Sequence, residues 1–166
     1  MKPIVAIVGR PNVGKSMTTN RCELANQYHE KGFNCAQSVL AAFGDLTHLT
    51  EQEALAVSGG FGGGIGGTHQ EVCGAMSGGV MTLSLLYPHV DENNAETRRR
   101  LYAVTKEFRN RFQRRFGCSV CGDLLKSKVQ PEGAALDLGI GQHCAILVVS
   151  AVEIVEQMLR EAGALK

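Results

Sequence analysis

Seven of the nine residues from Gly59 to Gly67 are glycine, and that run limits what the whole chain can become. Glycine costs roughly 1 kcal/mol per position in a helix interior, so a stretch this rich cannot hold a helix. The sequence around it is punctuated for helices throughout. Thr18 to Glu30 reads as a first helix, with Leu24 and Tyr28 four apart and Gly32 as its stop. Asn34 can cap a second from Cys35 to Phe43, ended by Gly44. Thr50-Glu-Gln-Glu53 is a capping box opening a third through Val57. Cys73 to Tyr87 is an apolar helix stopped by Pro88. Asn93 or Asn94 caps a long helix to Phe116, with Leu101, Val104, Phe108, Phe112 and Phe116 on one stripe and Gly117 as its close. A loop carrying Cys118 and Cys121 follows, and a last helix runs from about Cys144 to Glu161. The expected fold is all-α: a compact helical bundle with one glycine-rich loop.

The first sixteen residues differ in kind from the rest. Lys2 to Val8 reads as a buried strand, and it runs into Gly9-Arg-Pro-Asn-Val-Gly14-Lys15-Ser16, the phosphate-loop pattern. Backbone amides of such a loop cradle phosphates, Lys15 would neutralise them, and Ser16 would ligate magnesium. This opening resembles the N-terminal phosphate loop of a bacterial tandem-domain ribosome-assembly GTPase. The resemblance stops at Ser16: no Asp-x-x-Gly switch follows, and no Asn-Lys-x-Asp guanine-reading motif exists. Without a parallel sheet to hold it the loop is an orphan. Residues 1–16 therefore read as a foreign-looking extension, a fusion remnant, ahead of a domain spanning 17–166. Nucleotide binding through Gly9, Gly14, Lys15 and Ser16 is the disfavoured alternative.

A chain of 166 residues can bury a core large enough to fold without disulfides. A net charge of +1 gives no global pull toward nucleic acid or a membrane surface. No stretch approaches the ~20 apolar residues of a membrane span. The N-terminus carries no secretion signal, so a cytoplasmic location is expected. In that compartment clustered cysteines are more often metal ligands or redox thiols than structural disulfides.

There are six cysteines: Cys22, Cys35, Cys73, Cys118, Cys121 and Cys144. Cys35 follows a capping Asn, Cys144 precedes the apolar run Ala145-Ile-Leu-Val-Val, and Cys73 lies just past the glycine loop with Gly74 beside it. Helix starts favour anionic sulfur. Cys118 and Cys121 form a Cys-x-x-Cys, which can cycle between dithiol and disulfide or supply half of a zinc site. Cys22 reads as an ordinary helix residue. His69 and His143 lie close to Cys73 and Cys144 in sequence and could serve as alternative ligands or proton carriers, although a solvated or merely hydrogen-bonded histidine is the commoner case. The long helix is basic, with Arg98, Arg99, Arg100, Arg109, Arg111, Arg114 and Arg115. Such a run is most often a solvated face, and it would also suit an acidic redox partner.

From Met17 onward the chain resembles a family of small redox-active bacterial proteins named for a C–GCAxxG–C–C pattern. The carrying residues are Phe33-Asn34-Cys35-Ala36-Gln37-Ser38-Val39 and Cys73-Gly74-Ala75-Met76-Ser77-Gly78-Gly79, then Phe116-Gly117 with Cys121-x-Asp123-Leu124-Leu125, then Cys144. Val72 stands where the family usually has Gly. The resemblance implies a site of Cys35, Cys73, Cys121 and Cys144 holding a [2Fe–2S] or [4Fe–4S] cluster, for electron transfer or redox sensing. A metal-free thiol–disulfide protein using Cys118 and Cys121, and a structural zinc domain, are the alternatives. It identifies no reaction, so enzymatic turnover stays open. The partner would be a redox protein, and a homodimer could form through an exposed cluster edge or the basic helix.

Overall fold

Asn34 and Thr50 each end a loop and begin a helix, and their side chains explain how. In the computed structural model, which describes residues 17–166 and their side chains from residue 21 onward, both close full capping boxes. Asn34 accepts from the Gln37 amide while Gln37 accepts from the Asn34 amide, both at 3.0 Å. The phosphate-loop residues Gly9, Gly14, Lys15 and Ser16, and the strand expected before them, lie outside the described residues.

Among the described residues there are nine α-helices and no strand. Helix α1 (Met17–Glu30) stops at Gly32, whose φ is +100°. Helix α2 (Cys35–Ala41) ends two residues earlier than the sequence predicts, and Gly44, rather than stopping it, begins α3 (Gly44–Thr47). The reason is Phe43, which is fully buried. Its amide bonds back three residues to Leu40, and its carbonyl starts the next turn by accepting from Leu46 and Thr47. Helix α4 (Glu51–Ser58) follows Thr50 as the capping box required.

After the glycine run come α5 (Gly74–Leu86) and α6 (Ala95–Phe116). Asn94 is the residue that caps α6, and Gly117 closes it with φ +79°. Two short helices, α7 (Cys121–Lys126) and α8 (Ala134–Asp137), occupy what the sequence reads as loop. Helix α9 (His143–Glu161) is buried on nearly all sides from Ala145 to Glu156 and touches α1, α2, α5, α6 and α8. A helix that is apolar all round belongs in the middle of a bundle. Phe108 and Phe112 of the α6 stripe are fully buried in the same core, and Leu101, Val104 and Phe116 pack partly buried alongside. No described helix is long and apolar enough to cross a membrane.

Buried charge ties the far ends of the sequence together. Arg21 on α1 bridges Asp45 and the fully buried Glu156 of α9, the second at 2.7 Å. Desolvation pushes the Glu156 carboxyl up while Arg21 holds it down.

The closest packing is between α5 and its two neighbours. A Cβ at Gly78 would lie 2.8 Å from both the Ala36 carbonyl oxygen and Val39 Cβ of α2. One at Gly79 would lie 2.3 Å from the Phe108 ring of α6. Gly78→Ala is therefore expected to destabilise the protein, although helix propensity alone favours it by about 1 kcal/mol. Overpacking against backbone costs about 1–3 kcal/mol. Urea denaturation should show a lower midpoint at unchanged slope; a raised midpoint would mean the two helices can part.

Candidate redox site

Four cysteines from four helix starts lie near enough to act on one another. Cys35 is the first residue of α2, Cys73 caps α5, Cys121 is the first residue of α7, and Cys144 is the second of α9. Sequence reasoning placed Cys121 in a loop because α7 is under two turns long. The signals that could have found it are Asp123 in its first turn and Lys126 in its last, which complement the helix dipole.

Backbone bonds set the spacing of the buried pair. Val72 and Val120 form an antiparallel bridge. The Cys73 amide donates to the Ser119 carbonyl at 2.8 Å, and the Cys121 amide donates to the Glu71 carbonyl at 2.9 Å. The segments leading into α5 and α7 are thus strapped together just before their cysteines.

The glycine run completes the enclosure. Five consecutive residues, Gly63 to Gly67, have φ between +59° and +73°, a left-handed turn that only glycine enters at no cost. Ile65 is the exception at φ +64°, a β-branched residue held at a strain of roughly 1–2 kcal/mol. Gly67 and His69 donate back to the carbonyls of Gly62 and Gly63 and close the turn. On one side a Cβ at Gly62 would collide with Asn34 at 2.1 Å; on the other, a Cβ at Gly64 would lie 2.8 Å from Cys121 Cβ. The loop therefore presses backbone against the entry to α2 and the start of α7. From α5, Gly74 completes the contact, its missing Cβ 3.1 Å from Cys35 Cβ.

The four thiols act on one another. Cys35 and Cys144 stand close enough to couple: interaction with the Cys35 thiol lowers the Cys144 pKa to about 7, while the same interaction raises that of Cys35, which burial raises further. Burial pushes Cys73 up to about 11, opposed by the Ala75 and Met76 amides at the start of α5. Cys121 is raised by burial and then by the charge of Cys144. Cys73 and Cys121 are buried, while Cys35 and Cys144 are half-buried.

Soft sulfur donors suit iron–sulfur clusters and zinc, so the donor set fits such a group in kind. Among the described residues no three His, Cys, Asp or Glu side chains stand at the spacing of a bound metal ion. The sulfurs lie as interacting thiols. Cys118 is outside the group: its thiol approaches the Phe116 carbonyl at 3.9 Å and feels Asp123, and burial raises its pKa. Cys22 is fully buried in the core, its thiol 3.8 Å from the Val149 carbonyl, with its pKa raised by burial. His69 is exposed and serves the site through its backbone, accepting from the Gly122 amide at 2.8 Å. The Nε2 of His143 is buried without a hydrogen-bond partner.

A family model described as "Putative redox-active protein (C_GCAxxG_C_C)" matches residues 33–158, a span that holds all four of these cysteines. The match begins at 33, where the sequence resemblance begins at 17. No curated protein and no solved structure matches the chain.

The pKa order predicts which thiol reacts first in metal-free protein. With Cys144 near 7 and Cys73 near 11, at pH 8 most of Cys144 is thiolate against roughly one Cys73 in a thousand. Iodoacetamide followed by peptide mass spectrometry should label Cys144 at least tenfold faster than Cys73, with its rate climbing as pH rises through about 7. Equal labelling of the two would contradict the assigned pairing.

Proposed function

The chain belongs to the C_GCAxxG_C_C family, and we propose that it is a redox protein whose Cys35, Cys73, Cys121 and Cys144 together hold an iron–sulfur cluster. One observation carries this reading: four cysteines spread from position 35 to position 144 act on one another, each at the start of a different helix. When bound, such a cluster supplies one-electron chemistry through its iron. The chain supplies everything else. Its four sulfurs would be the ligands, and the α5 and α9 starts favour their anionic form. Gly62, Gly64 and Gly74 bring backbone close enough to exclude water, and a dry, hydrogen-bonded surround is what sets a cluster's potential. The role is electron transfer or redox sensing.

A second reading has its own support. Cys35 and Cys144 are the most strongly interacting pair of thiols in the site, so without metal they are the pair to consider for oxidation. Two thiols would lose two protons and two electrons to an external disulfide, forming the Cys35–Cys144 bond. Cys118 and Cys121 offer a second such pair by spacing alone.

Protein purified without oxygen should carry iron and acid-labile sulfide near stoichiometric with the chain. Cys35→Ala should lose both, and Cys118→Ser should keep both. Zinc in place of iron would select a structural site. A metal-free protein that gains one disulfide on mild oxidation would select the second reading.

A further inference from the structure

Four exposed apolar side chains lie on the segments that enclose the cysteine site. Phe61, Ile65, Val72 and Leu125 are 40%, 41%, 39% and 43% exposed. Each is bound by chain position to the enclosure of the cysteines. Phe61 precedes Gly62, which abuts Asn34 beside Cys35, and Ile65 follows Gly64, which abuts Cys121. Val72 precedes Cys73 and is bridged to Val120, which precedes Cys121. Leu125 lies one turn along α7 from Cys121 and next to the buried Leu124.

We propose that these four side chains form the docking surface for the redox partner of the cysteine site, a protein presenting an apolar rim around its own electron-entry point, in a short-lived complex. This rests on the redox reading of that site. Ile65 is the most telling of the four. A β-branched residue at positive φ is an outlier, and here the strained position displays an apolar side chain to solvent where glycine would fit freely. At about two fifths exposure the four side chains offer on the order of 300 Å², the size of a functional patch on a monomer. A stable dimer needs about 800 Å² per partner, whereas transient redox encounters use less. The arginine-rich helix is a poorer candidate, because Arg99, Arg111 and Arg115 are already paired with Glu96, Glu107, Glu161 and Glu153.

The test compares two electron acceptors, ferric cytochrome c as a protein probe and hexacyanoferrate(III) as a small one, in stopped-flow oxidation of the fully reduced chain. A reduced cluster gives up one electron per ferric centre reduced; a dithiol gives one electron to each of two ferric centres, releases two protons to water and closes to a disulfide. Either redox group therefore feeds both acceptors, and missing iron would count against the cluster alone. Ile65→Asn with Leu125→Gln is uncharged and suits the left-handed and helical backbones. The pair should slow the reaction with cytochrome c tenfold or more and leave that with hexacyanoferrate within twofold. Ile65→Gly should slow cytochrome c while raising the melting temperature, an outcome that a purely structural Ile65 would not give. A cytochrome c rate within twofold of wild type would overturn the proposal, as would equal slowing with both acceptors. A dimer of the wild type in sedimentation equilibrium that Ile65→Asn dissociates would also overturn it, and would assign the patch to a second copy.

Discussion

The approach of α2 to α5, backbone against backbone, is the constraint on which the rest of the structure depends. Gly74 and Gly78 lie one turn apart on α5, and each faces α2 where a methyl group would meet the backbone of Ala36. Because nothing stands between the two helices, Cys35 at the start of one and Cys73 at the cap of the other come to the same place. Gly79 turns toward α6 and seats the Phe108 ring, which fixes the third helix against the same element. Interiors are packed like crystals, so such contacts leave little freedom elsewhere. Helix α9 then fills the space that remains and brings Cys144 with it.

The other half of the site is built by loops with equally little slack. The Val72–Val120 bridge and its two flanking hydrogen bonds hold the approach to Cys73 against the approach to Cys121. The left-handed Gly63–Gly67 turn closes over Cys121. These elements gather sulfur where burial and mutual repulsion resist its ionisation at Cys35, Cys73 and Cys121. The interaction of Cys35 with Cys144 eases ionisation of Cys144 alone and adds to the resistance at Cys35. A bound cation would relieve that resistance, which is the energetic case for a metal group at this place.

Much of this was legible in the sequence, and the misses have physical causes. The capping boxes at Asn34 and Thr50, the stop at Gly32 and the aromatic stripe of α6 rest on local chemistry, and local chemistry is what a sequence displays. Helices α3, α7 and α8 run six residues or fewer, too short for any apolar period to repeat. Their ends are set by tertiary contact: Phe43 is buried and turns the chain at Gly44, and Glu153 of α9 accepts the Ala134 amide at 2.9 Å where α8 begins. The glycine run was readable as a loop, but its left-handed course was not, since glycine permits either hand. The grouping of four cysteines rested on family resemblance, because no spacing in one sequence brings position 35 to position 144. Cys22 reads as a helix residue and is one, sealed in the core.

The most direct test of the account is a crystal structure of protein grown without oxygen, with anomalous diffraction collected at the iron edge. It predicts iron density ringed by the sulfurs of Cys35, Cys73, Cys121 and Cys144, with the Gly63–Gly67 turn closed over it. Iron bound elsewhere, or four sulfurs that do not share one site, would contradict it.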